Sequence, residues 1–171
     1  SGNHYETSWS GKPSTPWASH VELKNSNPPL DSLIVRYFDD SGVQQHRSLL
    51  PPAGIVQVVD ILGTWCPNCM DEVRLLTALD NSKAELLSVA FERPKSAEQA
   101  YERIHSFHDE MGISWDVLWG GGADKQVAAD AFPFLDQVIS FPTTLFIQSD
   151  GTVHVHSGFN GPATGKRYLE E

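Results

Sequence analysis

Cysteine is nearly absent from this chain. Cys66 and Cys69 are the only two among 171 residues, held in Gly63-Thr64-Trp65-Cys66-Pro67-Asn68-Cys69. No long-range disulfide staple is available, and closing so small a loop removes little chain entropy, so stabilisation is a poor reason for the pair. Redox or metal chemistry is the better reason. Basic residues are also scarce: 12 Lys and Arg stand against 22 Asp and Glu, for a net charge of -10 and a pI near 5.0. With no basic tract, an acidic surface argues against nucleic acid or anionic lipid as a partner. No apolar run approaches the roughly 20 residues of a membrane-spanning helix. Ser1-Gly2-Asn3-His4-Tyr5 lacks a signal-peptide pattern. The expectation is a soluble chain, with any signal or membrane anchor outside it. No internal repeat is found.

What is present is globular composition: 40% hydrophobic and 20% charged residues, with five Trp and eight Phe. The length suits one domain with an extension. Residues 1–31 are rich in Ser, Pro, Asn and Gly, with Trp9 and Trp17 standing out from polar surroundings. They read as an extended arm packed by its tryptophans, or as the tail of an upstream region. Residues 32–171 read as the domain.

Within it, two β-prone runs, Leu33–Phe38 and Val43–Arg47, flank an Asp/Ser/Gly turn and predict a hairpin. Ile55–Leu62 is nearly continuous in apolar and β-branched residues, as a strand covered on both faces should be. The cysteine pair follows, then Val73, Leu76 and Leu79 at helical spacing, then a second buried strand, Leu86–Phe91. That order is a βαβ unit with a right-handed crossover. Ser96-Ala97-Glu98-Gln99 opens a helix that Gly112 ends. Trp115–Trp119 is a candidate short strand. Gly120-Gly121-Gly122 is expected to be a loop, because three glycines stabilise neither regular element. Ala123–Phe132 is a short helix stopped by Pro133. Thr143–Gln148 and Thr152–His156 around Ser149-Asp150-Gly151 form a second hairpin, and Lys166–Glu171 begins a helix.

A thiol attacks a disulfide only as thiolate, so a redox cysteine needs a lowered pKa, commonly about 3.5 to 7.5. Cys66 lies where a strand ends and a helix begins, and there unpaired N–H groups and the positive end of the helix dipole point at its sulfur. Pro67 suits the first helical position. Cys69, one turn on, is placed to attack a mixed disulfide on Cys66 and release the reduced partner. A structural zinc site would need two further ligands, and no second Cys pair or His-x3-His element lies near.

Asp60 to Cys69, with Phe141-Pro142-Thr143-Thr144 far along the chain, resembles the thioredoxin superfamily. More narrowly, Gly-Thr-Trp-Cys-Pro-x-Cys followed by Glu72, the preceding hairpin, the helix inserted after the second strand and the ending Gly158–Gly165 are similar to the TlpA/ResA-like extracytoplasmic thiol-disulfide oxidoreductases. The resemblance covers roughly residues 30–171. It implies an α/β thioredoxin-like fold: a central mixed β-sheet flanked by helices, with an N-terminal hairpin and a helical insertion after the second core strand. It implies no bound cofactor. The implied partners are protein thiol or disulfide substrates and a membrane or periplasmic electron donor. The implied duty is reduction.

Carried onto this sequence, the resemblance makes Pro142 a cis-proline facing the cysteine pair, with Phe141 bulkier than the family's usual residue. It makes Asp60 a buried aspartate and Glu72 an active-site glutamate, both able to exchange a proton with Cys69. Trp65, Pro67, Phe141 and Pro142 form the substrate surface. Read from residues alone, alternatives stand beside these roles: Pro142 as a trans proline opening an edge strand, Asp60 as a strand-end residue reaching solvent, Glu72 as an exposed first-turn residue favoured by the helix dipole, and Trp65 as plain core. His154 and His156 share a strand face and His105 and His108 a helix turn, as weak metal pairs or as solvated histidines. Two rival functions remain. One is a copper chaperone using both sulfurs and a distal histidine. The other is a thiol peroxidase, for which Trp-Cys-Pro-Asn-Cys is the wrong setting.

Overall fold

The computed structural model describes residues 23–161. Trp9, Trp17 and the helix expected at Lys166–Glu171 lie outside the described residues. Seven strands form one mixed sheet in the order β2-β1-β5-β4-β3-β6-β7. β1 (Ile34–Phe38) and β2 (Gln44–Ser48) make the first hairpin. Its turn is closed by Asp39, whose Oδ1 accepts from the backbone N–H of Ser41 and Val43. β3 (Val56–Leu62) runs parallel to β4 (Ala84–Glu92) and antiparallel to β6 (Thr143–Ile147). Neighbours on both sides and cover on both faces explain its nearly unbroken apolar sequence. β7 (Val153–Ser157) completes the second hairpin, and β5 (Val117–Gly122) joins β4 to β1.

Three α-helices are described: α1 (Pro67–Ala78), α2 (Ala97–Met111) and α3 (Lys125–Asp130). Each starts on a side-chain cap. Cys66 caps α1, Ser96 accepts from Gln99 N at α2, and Asp124 accepts from Gln126 N and Val127 N at α3. α2 ends at Gly112 in the left-handed region, φ 63°, where glycine carries no Cβ penalty. Residues 23 and 24 pair with the main body: Leu23 bridges Leu135, and Lys24 N donates to Phe134 O.

Strand alternation divides the core. Val59, Ile61, Leu87, Val89, Phe91, Leu145 and Ile147 face one way, onto Phe132, Phe134 and Leu135. The opposite face carries two clusters. Val58, Leu76, Phe146 and Phe159 form one. Leu62, Cys66, Cys69, Val73, Ala90, Ile104 and Phe107 are in the other. Between them, Ser88, Asp60, Thr144 and His156 lie in register across β4, β3, β6 and β7.

One expectation is corrected. Gly120, Gly121 and Gly122 are in strand β5, not a loop. Trp119 pairs with Ala90 and Gly121 with Phe91, leaving Gly120 as the extra residue of a bulge. A Cβ on Gly120 would lie 2.4 Å from the Phe91 ring and 2.9 Å from Val89, and Gly121 has φ 131°. Gly120 is there because the Phe91 and Val89 side chains of β4 fill the place a Cβ would take, and Gly121 because its positive φ favours glycine. Gly120→Ala is therefore expected to destabilise the fold by about 1–3 kcal/mol in urea denaturation. Gly122→Ala, with no atom within 4 Å of its new Cβ, should not.

Candidate active site

β3 stops at Leu62 and the chain turns through Gly63, Thr64 and Trp65 into α1. Gly63 is obligatory here, because a Cβ would sit 2.4 Å from the Trp65 indole. Cys66 N donates to Gly63 O at 3.0 Å, which closes the turn. Cys66 itself is extended, φ -99° and ψ 114°, and its sulfur takes the N-cap role, accepting from Cys69 N at 3.4 Å. Pro67 is exposed at the start of α1.

The two sulfurs have opposite electrostatics. The Cys69 side chain hydrogen-bonds to Cys66 and, with the Cys69 and Asn68 backbone groups, brings the Cys66 thiol down to about 7 against burial and the Glu72 charge. Cys69 is pushed far upward, first by burial, then by donating its S–H to Cys66, then by Asp60. Near neutral pH the outer sulfur is partly ionised and the inner one holds its proton.

Below Cys69, Asp60 is 1% exposed and Glu72 0%. Neither reaches solvent, so the strand-end and exposed first-turn alternatives do not describe them. Burial, the Glu72 charge and a side-chain hydrogen bond with Glu72 hold the Asp60 carboxyl well above its ordinary value of 3.8, and Ser88 pulls the other way. Two carboxylates are both acceptors, so that bond needs a proton between them. Ser88 Oγ donates to Asp60 Oδ2 at 3.4 Å, and Thr144 Oγ1 donates to Glu72 Oε1.

Phe141 and Pro142 close the other side. Their peptide is cis, and Cys66 Sγ lies 3.7 Å from the Phe141 carbonyl oxygen. Pro142 O accepts from Gly158 N at 2.7 Å, which ties this loop to the end of β7. Trp65 is half-buried: its Nε1 donates to Phe91 O at 2.9 Å, its ring meets Phe141 edge-on at 5.6 Å, and the Arg93 guanidinium lies 5.1 Å above it. All eight expected site residues thus meet around the strand-to-helix junction.

The histidine pairs do not join them as pairs. His154 is exposed while His156 is 9% exposed, and His105 and His108 lie on α2. Among the described residues no group of three or more His, Cys, Asp or Glu is placed to hold a metal ion.

Sequence reasoning missed Glu92. It is 1% exposed at the end of β4 and clamps the residue two before Cys66, accepting from Thr64 N at 2.8 Å and Thr64 Oγ1 at 2.7 Å. Burial raises its carboxyl, and the Thr64 bonds oppose the rise. The available signal was a charge closing an apolar strand, the feature that singled out Asp60.

The mixed sheet, with a cysteine pair opening the helix after its central strand and a cis X-Pro opposite, is a thioredoxin-like fold. No protein-family model matches the chain. Among curated proteins it is similar to the thioredoxin-like protein YneN of Bacillus subtilis (strain 168), 26% identical over 116 residues. That match covers 67% of this chain and 63% of the relative, so the chain spans less than two thirds of the relative's length. Among solved structures it is similar to a candidate thiol:disulfide interchange protein DsbE from Chlorobium tepidum, with TM-score 0.59, 15% identity, and 86% of this chain and 93% of the other covered. It is also similar to a secreted Mycobacterium tuberculosis disulfide oxidoreductase, with TM-score 0.56, 18% identity, and 82% and 98% covered.

The buried aspartate sets a pH-dependent stability. Its folded pKa lies above its unfolded one, so the folded state keeps a proton that the unfolded state releases. Stability from this group is full below the unfolded pKa and is lost as pH rises through the folded one. Asp60→Asn should be more stable than the parent chain above neutral pH, by about 1–3 kcal/mol. The difference should shrink in mild acid, as read from urea midpoints across pH.

Proposed function

We propose that this chain is a thiol-disulfide oxidoreductase acting on protein thiols and disulfides through Cys66-Pro67-Asn68-Cys69, as a reductase. The observation that carries the reading is the pairing of a Cys66 sulfur brought to about 7 with a protonated Cys69 donating to it. A cysteine pair kept for packing has no need of that asymmetry.

The Cys66 thiolate attacks a substrate disulfide, one substrate sulfur leaves, and a mixed disulfide joins the substrate to Cys66. Cys69 then loses its proton to the Asp60–Glu72 pair and attacks the Cys66 sulfur. The S–S bond to the substrate breaks, leaving the substrate reduced and the pair oxidised. A carboxyl held high by burial is suited to take a proton from a thiol near neutral pH. The Phe141 carbonyl beside Cys66 offers main-chain pairing to an extended substrate, with Trp65, Pro67 and Pro142 forming the surrounding surface. No cofactor takes part in these steps.

Direction follows from how strongly the thiolate is stabilised. Thioredoxin's attacking cysteine has a pKa of about 7 and that of the oxidant DsbA about 3.5, and Cys66 lies near the first. Stabilising the reduced form less makes the pair a better electron donor. An oxidised pair needs a membrane or periplasmic donor to restore it, and an extracytoplasmic location fits the secreted relative. No helix among the described residues is long and apolar enough to cross a membrane.

Insulin reduction by dithiothreitol tests the reading. The chain should accelerate turbidity, Cys66→Ser should return the uncatalysed rate, and Cys69→Ser should accumulate a mixed disulfide visible by mass. A Cys66→Ser chain as active as the parent overturns the proposal. The midpoint potential should fall near thioredoxin's, about -270 mV, rather than near DsbA's, about -120 mV.

A further inference from the structure

Asp60 receives its hydroxyl from a residue that is itself held. Ser88, 0% exposed on β4, donates from Oγ to Asp60 Oδ2 at 3.4 Å and accepts from Trp115 Nε1 at 2.9 Å. An indole N–H is a donor only. A serine hydroxyl carries a single hydrogen, so with the indole on its oxygen that hydrogen is the one directed to the carboxyl. We propose that Trp115 is a positioning residue for the resolving step, turning the Ser88 hydroxyl onto Asp60 and so keeping that carboxyl able to take the proton of Cys69. This inference rests on the redox reading above and adds to it a residue that acts through another.

The segment that carries the indole is fastened to the same serine. Trp115 lies between α2 and β5, half-buried, with its ring against both clusters on that face of the sheet. The next residue holds Ser88 by its backbone: Ser88 N donates to Asp116 O at 3.0 Å. The Asp116 carboxylate in turn pairs with Arg47 of β2 at 2.8 Å. Trp115 and Asp116 together thus engage both the N–H and the hydroxyl of Ser88, which gives the hydroxyl hydrogen a fixed direction. Bonds in a chain also polarise one another, so an oxygen that accepts from the indole donates more strongly to the carboxylate. A tryptophan kept only for packing could satisfy its N–H on any backbone carbonyl, as Trp65 does on Phe91 O.

Only an ionised carboxyl takes a proton from a thiol, and a donated hydrogen bond favours the ionised form. The groups that bear charge toward Asp60 are Glu72, Cys66 and Cys69, from α1 and its cap. β4 presents Ser88 and β6 presents Thr144, neither of which titrates, and His156 stands one strand further, opposite Thr144. Asp116 is engaged by Arg47. Burial and the Glu72 charge both disfavour an ionised Asp60, and the Ser88 bond opposes them. Without the indole that bond loses its direction, and the acceptor shifts toward its protonated form at neutral pH.

The test oxidises the reduced chain with hydroxyethyl disulfide, quenches with acid, and reads by mass the mixed disulfide on Cys66 and its closure to the Cys66–Cys69 disulfide across pH. Trp115→Phe keeps an aromatic ring and deletes the N–H. Its closure should be about tenfold slower near neutral pH, with the rise displaced about one unit toward higher pH and the parent rate regained beyond it. Ser88→Ala should show the same displacement, and the double variant no more than either alone. A Trp115→Phe profile that coincides with the parent's overturns the proposal, as does slowing by the same factor at every pH, which marks a packing role. If Trp115→Phe does not fold, a Ser88→Ala profile at the parent position overturns it, because the indole acts only through that hydroxyl. A parent chain that never closes the Cys66–Cys69 disulfide instead defeats the redox reading itself.

Discussion

Two carboxyl groups and a thiol occupy a space from which water is excluded, and the arrangement around the site answers to that fact. Unit charges about 4 Å apart repel by about 4 kcal/mol at an effective dielectric constant near 20. A proton shared between Asp60 and Glu72 relieves that repulsion, and the Asp60 carboxyl is held well above its ordinary value. The partners available have the character this requires: Ser88 and Thr144 supply hydroxyls that can donate to a carboxylate or accept from a carboxylic acid. The same charge raises Cys69, and a protonated Cys69 donates to Cys66 and lowers it. The reactivity of the outer sulfur is thus set by groups that never meet solvent.

Such a cluster works only if the loop above it does not move. Gly63 lets the chain pass under the Trp65 ring, Glu92 holds Thr64 by two hydrogen bonds, and Trp65 is pinned to Phe91 O. Three of these anchors come from the end of β4, whose parallel pairing with β3 fixes them relative to Asp60. The Gly120 bulge belongs to the same support. It leaves space for Phe91, whose ring in turn packs 6.1 Å from Phe141. Cost accepted on a neighbouring strand keeps the carbonyl beside Cys66 in place.

Much of this was legible in the chain. The apolar run of β3, the helical spacing after it and the turn residues of both hairpins determine the sheet's connectivity locally, and Asp60 stood out as a charge in an apolar strand. The glycine run misled, because glycine propensity describes an isolated backbone, whereas β5 is chosen by the closeness of Phe91. Glu92, Ser88 and Thr144 escaped for another reason. Their roles depend on which strands lie side by side and in what register, and a single sequence does not carry that information. Glu72 shows the limit well: read from residues alone, a glutamate near the start of a helix has solvent as an alternative, and its burial appears only when the helix is laid onto the sheet.

The polar row also constrains the fold that carries it. Side chains alternate along a strand, so a slip of one residue at β3, β4, β6 or β7 would send one member of the row into the cluster of Val59, Ile61 and Leu145 on the opposite face. There it would meet no hydroxyl, and leaving a charged group unpaired in an apolar setting costs several kcal/mol. At β7, where His154 is exposed, the slip would also carry Val153 and Val155 toward solvent, each worth about 1.5–3 kcal/mol when buried. Both penalties point the same way. The residues that tune the sulfur chemistry therefore help select the one register in which that chemistry is possible, and stability and function here act on the same hydrogen bonds.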